Sequence, residues 1–487
     1  MIYVYKLDPL NITIHTEDLV YLRQLREHFT AYTEGYMFTP KFKAGFWNGK
    51  ISLYNAVKKS LPYGLVSDLI KFHKKFFPNE KLVFDKGVSE LFQGTPINIK
   101  YDLKLQPRDY QQECVEIMLK HSKGIVRAAT ASGKSLIIAY VIKNLIDNKI
   151  TKRSLIIVPT ISLVVQFFND LMEYGFKPDL LGKVYEKEKQ FDKTIVISTW
   201  QTMSRNHEKL ANYDCVVFDE CHMNKAVEVK KIAEKCGNAV YRLGFTGTLN
   251  EGNKLDMWNV KAYIGPILKD YSSGELADRG YISKCNVKVI NLEYENEYEG
   301  DYNTVKDTIF INPFRLGVLE DIVRKINGNV LLLVGKIEKE GKVLEDYFKE
   351  KFKGADREIV FIYGATPVEE REAWRVECEK RRNIILIASY GVMQLGVNIP
   401  SLKYIVLASP FKSKIRTLQS IGRALRLHIE KSAGAFIYDI ADECKYLHIH
   451  GIKRLRYYYS EKFNVEEQVI KEGEEIDLKI PGEMPSL

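Results

Sequence analysis

The stretch ATASGKS, Ala129 to Ser135, follows the apolar run GIVRAA and precedes the helical pattern LIIAYVIKNLI. A glycine-bearing loop between a buried strand and a helix turns backbone N–H groups and the helix N-terminus toward one point, an arrangement that holds phosphate. Thr130, Ala131, Ser132 and Gly133 would form that cradle, Lys134 would reach the β- and γ-phosphates, and the Ser135 hydroxyl would hold Mg2+. The common pattern expects glycine where Ala128 stands. A second stretch, CVVFDECH, ends an apolar run in the adjacent acids Asp219 and Glu220. An aspartate at the end of a buried strand can ligate the metal's water shell, and the next carboxylate can orient an attacking water. The chemistry implied is hydrolysis of ATP, with Mg2+ as cofactor.

A different chemistry is suggested by TPKFKAGFWNGK, Thr39 to Lys50, which holds three lysines, three aromatic rings and two glycines. No acidic residue occurs between Gly35 and Ser67, while Lys41, Lys43, Lys50, Lys58 and Lys59 fall within that span. A run of one sign this long favours a phosphate surface, and rings at a turn suit base stacking or insertion at a junction. Asn48-Gly49 reads as a type I′ turn between Phe46, Trp47 and the strand KISLY, which makes the segment a hairpin. Phe42, Phe46 and Trp47 would equally well pack the core of a small domain.

These elements need scaffolds of different kinds. With 487 residues the chain calls for two to four domains, and 45% hydrophobic with 28% charged residues is globular composition. The net charge of +9 permits a nucleic-acid partner without requiring one. Seven scattered cysteines with no CxxC pair point away from a disulfide framework and toward a reducing compartment. Cys444, His448 and His450 lack the fourth ligand and paired spacing of a zinc site. Neither a signal peptide nor an apolar run long enough to span a bilayer is visible, so the expectation is a soluble cytoplasmic protein.

Residues 1–100 read as a small α+β domain, with strands at MIYVYKL and NITIH and an amphipathic helix at TEDLVYLRQLREHF. From 105 to 282 the apolar runs KGIVRAA, SLIIVPT, TIVIST, DCVVFDE and YRLGFTGT have the continuous character of parallel strands buried on both faces. The pattern restarts over 283–450 with NVLLLVG, EIVFIYG, NIILIAS, YIVLASP and AFIYDI. The expected fold class is α/β, with two tandem RecA-like parallel-sheet lobes behind the small N-terminal domain. Residues 451–487 read as a last helix, about Gly451 to Glu472, and a tail. NLEYENEYEGDYNTVKDT reads as an acidic surface excursion at the start of the second lobe.

From Gln106 to Asp439 the chain resembles the superfamily 2 helicases and translocases, on motifs that fall in that family's order. PRDYQQ resembles the Q motif, which implies that Gln111 reads the adenine edge and that Tyr110 or Arg108 stacks on the base. VPT and STWQT resemble the strand-contacting motifs, implying DNA contacts from Thr160, Thr199 and Gln201. FTGT resembles motif III, implying that Thr246, Gly247 and Thr248 couple hydrolysis to movement. SYGVMQLGVNIP resembles motif V, implying Gly396 and Asn398 near the nucleotide. QSIGRALR resembles motif VI, and on a helix Gln419, Arg423 and Arg426 would share one face. Guanidiniums so placed can neutralise charge on the γ-phosphate, the work of an arginine finger. Departures are Ser420 where arginine is frequent, Ala131 where glycine is usual, and Asn398 where an acid is common.

With GYMFTPKFKAGFWNGKISLY ahead of that core and KSKI and LQSIGRALR near its end, the chain is similar to the UvsW-type phage branch-migration helicases. That resemblance implies a monomeric ATP-dependent enzyme that acts on branched DNA in a host cytoplasm. Four-way junctions, forks, D-loops and R-loops would be its substrates, with Lys41, Lys43, Trp47 and Lys50 contacting DNA. Trp47 and the aromatic-rich EYENEYEGDYNTVKDTIFINPF are candidates for a strand-separating wedge. An RNA helicase, a duplex translocase that separates no strands, and a weakly hydrolysing nucleotide-gated binding module remain open alternatives.

Overall fold

The computed structural model describes residues 1–474 except 224–225, 249–252, 296–297, 395–398, 410–420, 423–424 and 429–430. Two compact units result: Met1–Ala128 with Gly133–Asp270, and Ala129–Ser132 with the chain from Tyr271 onward.

The first unit opens with strands β1 (Ile2–Lys6), β2 (Asn11–His15), β3 (Thr30–Tyr32), β4 (Lys50–Ser52), β5 (Ser60–Pro62) and β6 (Leu82–Phe84). Four of them form a sheet in the order β5-β2-β1-β6, antiparallel except for the β1–β6 pair. Helix Leu19–His28 begins where the Asp18 carboxylate accepts the Tyr21 N–H, and it buries Tyr21 and Leu25. Helix Val66–Phe76 buries Leu69, Phe72 and His73. β3 and β4 pair antiparallel as a separate ribbon, Thr30 opposite Ser52. The expected hairpin at Phe46 to Lys50 is therefore not formed. The partner of β4 is β3, on the far side of the 33–49 excursion. Asn48 is not in the left-handed region that a type I′ turn demands of both central residues, although Gly49 is, at φ 79°.

Next come β7 (Lys123–Ala128), β8 (Ser154–Val158), β9 (Leu181–Tyr185), β10 (Glu188–Lys189), β11 (Ile195–Thr199), β12 (Cys215–Phe218), β13 (Tyr241–Thr246) and β14 (Ile267–Tyr271). They form one sheet in the order β10-β9-β11-β8-β12-β13-β7-β14. The pairs β8–β11, β8–β12, β12–β13 and β7–β13 are parallel, with helices as crossovers. Each apolar run picked from the sequence in this region is one of these strands. Their carboxyl ends carry the phosphate loop, VPT, STWQT, DECH and FTGT, where open α/β sheets place their sites.

The small domain shares its apolar core with this sheet, because helix Lys254–Ile264 sits between them. Trp258 of that helix packs 5.3 Å from Phe29, ring to ring, and Lys261 pairs with Asp68 at 3.1 Å. The buried Tyr63 hydroxyl donates toward the carbonyls of Tyr263 and Ile264, at 2.8 and 3.0 Å. Those carbonyls belong to the last turn, where a helix has no partners of its own. Lys123 and Arg242, both buried, reach back to the Leu91 and Pro9 carbonyls.

The second unit contains β15 (Cys285–Glu293), β16 (Val330–Val334), β17 (Glu358–Ile362), β18 (Ile384–Ser389), β19 (Tyr404–Leu407), β20 (Ala435–Asp442) and β21 (Asn464–Lys471). Their order is β17-β18-β16-β19-β20-β15-β21, parallel throughout. Buried ion pairs brace it: Arg315 with Asp442 at 2.8 Å, and Arg454 with Asp439 at 2.8 Å. The single C-terminal helix expected over Gly451–Glu472 is instead helix Lys445–Ser460 followed by β21. β21 pairs with β15 from Asn286 opposite Asn464 to Glu293 opposite Lys471, so backbone pairing overrides the helical preference of its glutamates. Arg454 is buried in the core. The expected excursion before the second lobe contains helix Tyr302–Phe310, which buries Val305, Ile309 and Phe310. Tyr294, Tyr298 and Tyr302 of that region pack on a small apolar cluster with Val305, Ile309 and Leu447. Among the described residues no helix is long and apolar enough to cross a membrane.

Candidate functional site

β7 ends at Ala128 and helix Lys134–Asp147 starts six residues later, with Gly133 at its N-cap at φ 73°. Ala131 also adopts the left-handed region, at φ 69°. An L-residue there costs roughly 1–2 kcal/mol, which explains why glycine suits that position. The strain sits in the loop between β7 and the following helix, the kind of place where folds keep it for function. Gln111 is buried beside the loop, close enough that a Cβ on Gly133 would lie 2.6 Å from its Nε2. Its Oε1 accepts the Arg108 N–H at 2.9 Å, which fixes the amide's orientation. Tyr110 has no exposed face, so of the two residues expected to stack on adenine only the half-buried Arg108 is accessible.

Lys134 Nζ lies 3.6 Å from Glu220 Oε1 and donates to the Ala128 carbonyl at 3.3 Å. Glu220 follows β12 in the left-handed region at φ 45°, which turns its side chain toward the loop and toward FTGT. Its Oε2 accepts the Gly247 N–H at 3.4 Å and lies 3.5 Å from His222 Nδ1. Burial alone would raise the Glu220 carboxyl, but Lys134 above all, with the Gly247 N–H, holds it below the usual glutamate range. It is ionised at neutral pH.

Asp219 behaves in the opposite way. Burial first, then the neighbouring Glu220 charge, push its carboxyl up to about 7 against the pull of Lys134. Its Oδ1 is buried with no hydrogen-bond partner among the described residues. A buried carboxylate oxygen left without a donor is costly unless a cation meets it. The Ser135 hydroxyl, 2.9 Å from the Tyr174 hydroxyl, begins the adjacent helix. Oxygen donors of this kind fit a hard divalent cation.

His222, which no role was given from the sequence, joins the acid pair to FTGT. Thr246 Oγ1 donates to the Thr248 carbonyl at 2.7 Å and therefore accepts from His222 Nδ1–H at 2.5 Å. Burial, aided by Lys134 and opposed by Glu220, lowers the imidazole's pKa, so the ring is neutral with its proton on Nδ1. Only its place in DECH, two residues past the acid, could have marked it beforehand.

Thr160 and Thr199 cap helices Ile161–Tyr174 and Trp200–Arg205 by accepting the Leu163 and Thr202 N–H groups. Gln201, beside the second cap, is exposed. In the other unit, Ile421 and Gly422 are helical, whereas Leu425 and Arg426 lie in a turn and bend. Arg426 is exposed. Gln419 and Arg423, like Gly396 and Asn398, lie outside the described residues.

Lys41 and Lys43 are exposed on the 33–49 excursion, and Lys50 is exposed at the start of β4. Trp47 is half-buried and donates its indole N–H to the Lys50 carbonyl at 2.9 Å. Its ring closes the excursion and is not a free wedge.

Three family models match consecutive parts of the chain. "DNA helicase UvsW, N-terminal" covers residues 2–84, "Type III restriction enzyme, res subunit" covers 104–251, and "Helicase conserved C-terminal domain" covers 315–428. The chain is 27% identical to the ATP-dependent DNA helicase uvsW of Enterobacteria phage T4, over 93% of this chain and 98% of that one. It is 25% identical to the DNA 3'-5' translocase XPB2 of Sulfurisphaera tokodaii, over 84% and 94% of the two chains. The crystal structure of T4 UvsW covers 96% of this chain and 99% of its own, at 25% identity and a TM-score of 0.50. A fragment of the HsdR subunit of a type I restriction enzyme from Vibrio vulnificus YJ016, 18% identical, shares the fold with a TM-score of 0.57 over 76% and 70% of the chains.

Proposed function

Since the chain belongs to the UvsW-type superfamily 2 helicases and is an ATP-dependent DNA helicase, we propose that its substrate is branched DNA. Four-way junctions, forks, D-loops and R-loops are the structures it remodels, in recombination, repair and replication, as a monomer in the host cytoplasm. One observation carries this reading. The acid-free span from Gly35 to Ser67 displays Lys41, Lys43 and Lys50 on a small domain that shares its core with the first sheet. A phosphate grip joined in this way to the ATP-binding lobe moves with it, so each turnover pulls on the branch itself. Thr160, Thr199 and Gln201 then contact the tracked strand. Translocation along duplex without strand separation is the second reading, supported by the likeness to the archaeal translocase.

In this reading Thr130 to Gly133 cradle the phosphates and Lys134 neutralises the β- and γ-oxygens. Gln111 and Arg108 meet the adenine. Ser135 and Asp219 would hold a magnesium ion, which when bound offsets charge on the transferring phosphoryl group. Glu220, ionised, orients the attacking water and takes its proton. The water's position changes as the phosphate leaves, and Glu220 relays that change to Thr246, Gly247 and Thr248 both directly and through His222. Arg423 and Arg426 supply further positive charge to the γ-phosphate during turnover and Gln419 a neutral amide donor, with Gly396 and Asn398 near the nucleotide.

Charge reversal tests the grip. Lys41→Glu, Lys43→Glu and Lys50→Glu together should weaken junction binding and lower its salt slope by about 0.9 for each phosphate contact removed, with basal hydrolysis unchanged. An unchanged slope would overturn the reading.

A further inference from the structure

The aromatic residues around the 33–49 excursion divide into two groups, and the phosphate grip explains only one. Tyr32 and Tyr36 stack with centroids 4.5 Å apart, and Phe42 meets Tyr36 edge-on at 4.9 Å. Gly49 presses on the same ring so closely that a Cβ there would lie 2.2 Å from it. Lys50 Nζ lies over the Tyr32 ring at 4.8 Å, and Trp47 is tied to the Lys50 carbonyl. The backbone is closed as well: the Thr33 N–H donates to the Gly49 carbonyl and the Phe46 N–H to the Lys41 carbonyl, each at 3.0 Å. These contacts make the excursion a braced finger. The side chains of Phe38 and Phe46 take no part in the ring contacts, and these residues are 77% and 87% exposed.

Burying a phenylalanine typically stabilises a fold by about 1.5–3 kcal/mol, so packing does not account for two that stay in water on one short finger. Their neighbours limit what could cover them. Exposed Lys41 and Lys43 lie between them in sequence and exposed Lys50 follows Phe46 by four residues; the one carboxylate of the finger, Glu34, sits at its base, and this balance suits a partner that is anionic and also offers flat apolar faces. Duplex DNA presents phosphates but keeps its bases stacked inside. Unpaired DNA presents both.

We propose that Phe38 and Phe46 are the base-contacting residues of this protein, stacking on unpaired nucleobases at a branch point while the flanking lysines hold the adjoining phosphates. Trp47, the ring favoured by the sequence, is the brace. The inference rests on the reading that this segment meets DNA, and it adds which ligand atoms are met and by which rings. It also gives the segment a preference for branches over duplex, which lysines alone cannot confer.

The test uses the full chain and a four-way junction with 2-aminopurine either at the branch point or within an arm. Binding of the unsubstituted protein should change emission at the branch point and not in the arm. Phe38→Ala with Phe46→Ala should abolish that change and weaken junction binding at least about fivefold, the size expected for loss of one stacked base. Blunt-duplex binding, salt slope and basal hydrolysis should be unaffected. Phe46→Tyr in the Phe38→Ala background should restore the signal in part, whereas Phe46→Leu should not. If the lysine reversals flatten the salt slope but the double phenylalanine variant keeps full branch-point emission and affinity, this inference fails and the phosphate grip stands. If the lysine reversals also leave the slope unchanged, both fail. Loss of blunt-duplex binding in parallel with junction binding would likewise overturn the base-contacting role.

Discussion

Gly64→Ala is the sharpest perturbation of the seam that joins the small domain to the ATP-binding sheet. A Cβ on Gly64 would lie 1.8 Å from the Lys261 carbonyl oxygen, where ordinary contact begins near 3.4 Å, so the seam must open by about 1.5 Å. An opening of that size pulls the Tyr63 hydroxyl from the Tyr263 and Ile264 carbonyls, now 2.8 and 3.0 Å away. Overpacking costs about 1–3 kcal/mol, and the unsatisfied carbonyls cost about 1–3 kcal/mol more. At about 1.4 kcal/mol per factor of ten, the lower sum of about 2 kcal/mol raises the open population roughly 30-fold. Hydrogen exchange reads this directly, because local opening sets the rate for buried amides. Amides of helices Lys254–Ile264 and Val66–Phe76 should exchange at least about 30-fold faster in Gly64→Ala, and those of the β16–β18 region should not change. Tyr63→Phe, which removes the hydroxyl alone, should give roughly 5- to 100-fold. Unaltered exchange in both helices of Gly64→Ala would refute the docking described above.

Other consequences follow from the ATP site. Lys134→Ala and Glu220→Gln should each lower hydrolysis by at least about a hundredfold, the usual scale for a positioned acid-base group, with junction binding retained. A phosphate-release assay beside a binding titration checks this, and near-normal turnover would reject the site. Without Mg2+, folded Asp219 keeps its proton up to about pH 7 while the unfolded chain loses it near 3.8, the ordinary aspartate value. The folded state then binds more protons, so this group's contribution makes stability fall as pH rises from about 4 to about 7. The gap between 3.8 and about 7 sets an upper bound of roughly 4 kcal/mol. Asp219→Asn should therefore raise the melting midpoint in EDTA at pH 8 more than at pH 5, and an equal rise at both would contradict it.

The sequence made the parallel sheets legible because strands buried on both faces must be apolar throughout, as LIIV of β8 and VLLLV of β16 are. It made Lys134, Asp219 and Glu220 legible because strand, loop and helix follow one another locally. What it hid depends on distant partners. β21 reads as helix until β15 is beside it, and the Asn48-Gly49 turn reads as a hairpin until β4 is seen to pair with β3. His222 gains its role only when Thr246, from the neighbouring strand, comes within reach. Tyr110 and Gln111 are adjacent in sequence, yet one faces the core and the other the loop. The seam was invisible because Tyr63 and Tyr263 lie 200 residues apart.

The most direct test of the account compares ATP-dependent processing of three labelled substrates of matched length: a four-way DNA junction, a forked DNA and a tailed RNA duplex. The account predicts that junction and fork are resolved in an ATP-dependent manner and the RNA is not, with Lys134→Ala inactive on all three. Resolution of the RNA in preference to both DNA substrates would contradict it, leaving the ATP site intact and the finger at Thr33 to Gly49 without the role proposed here.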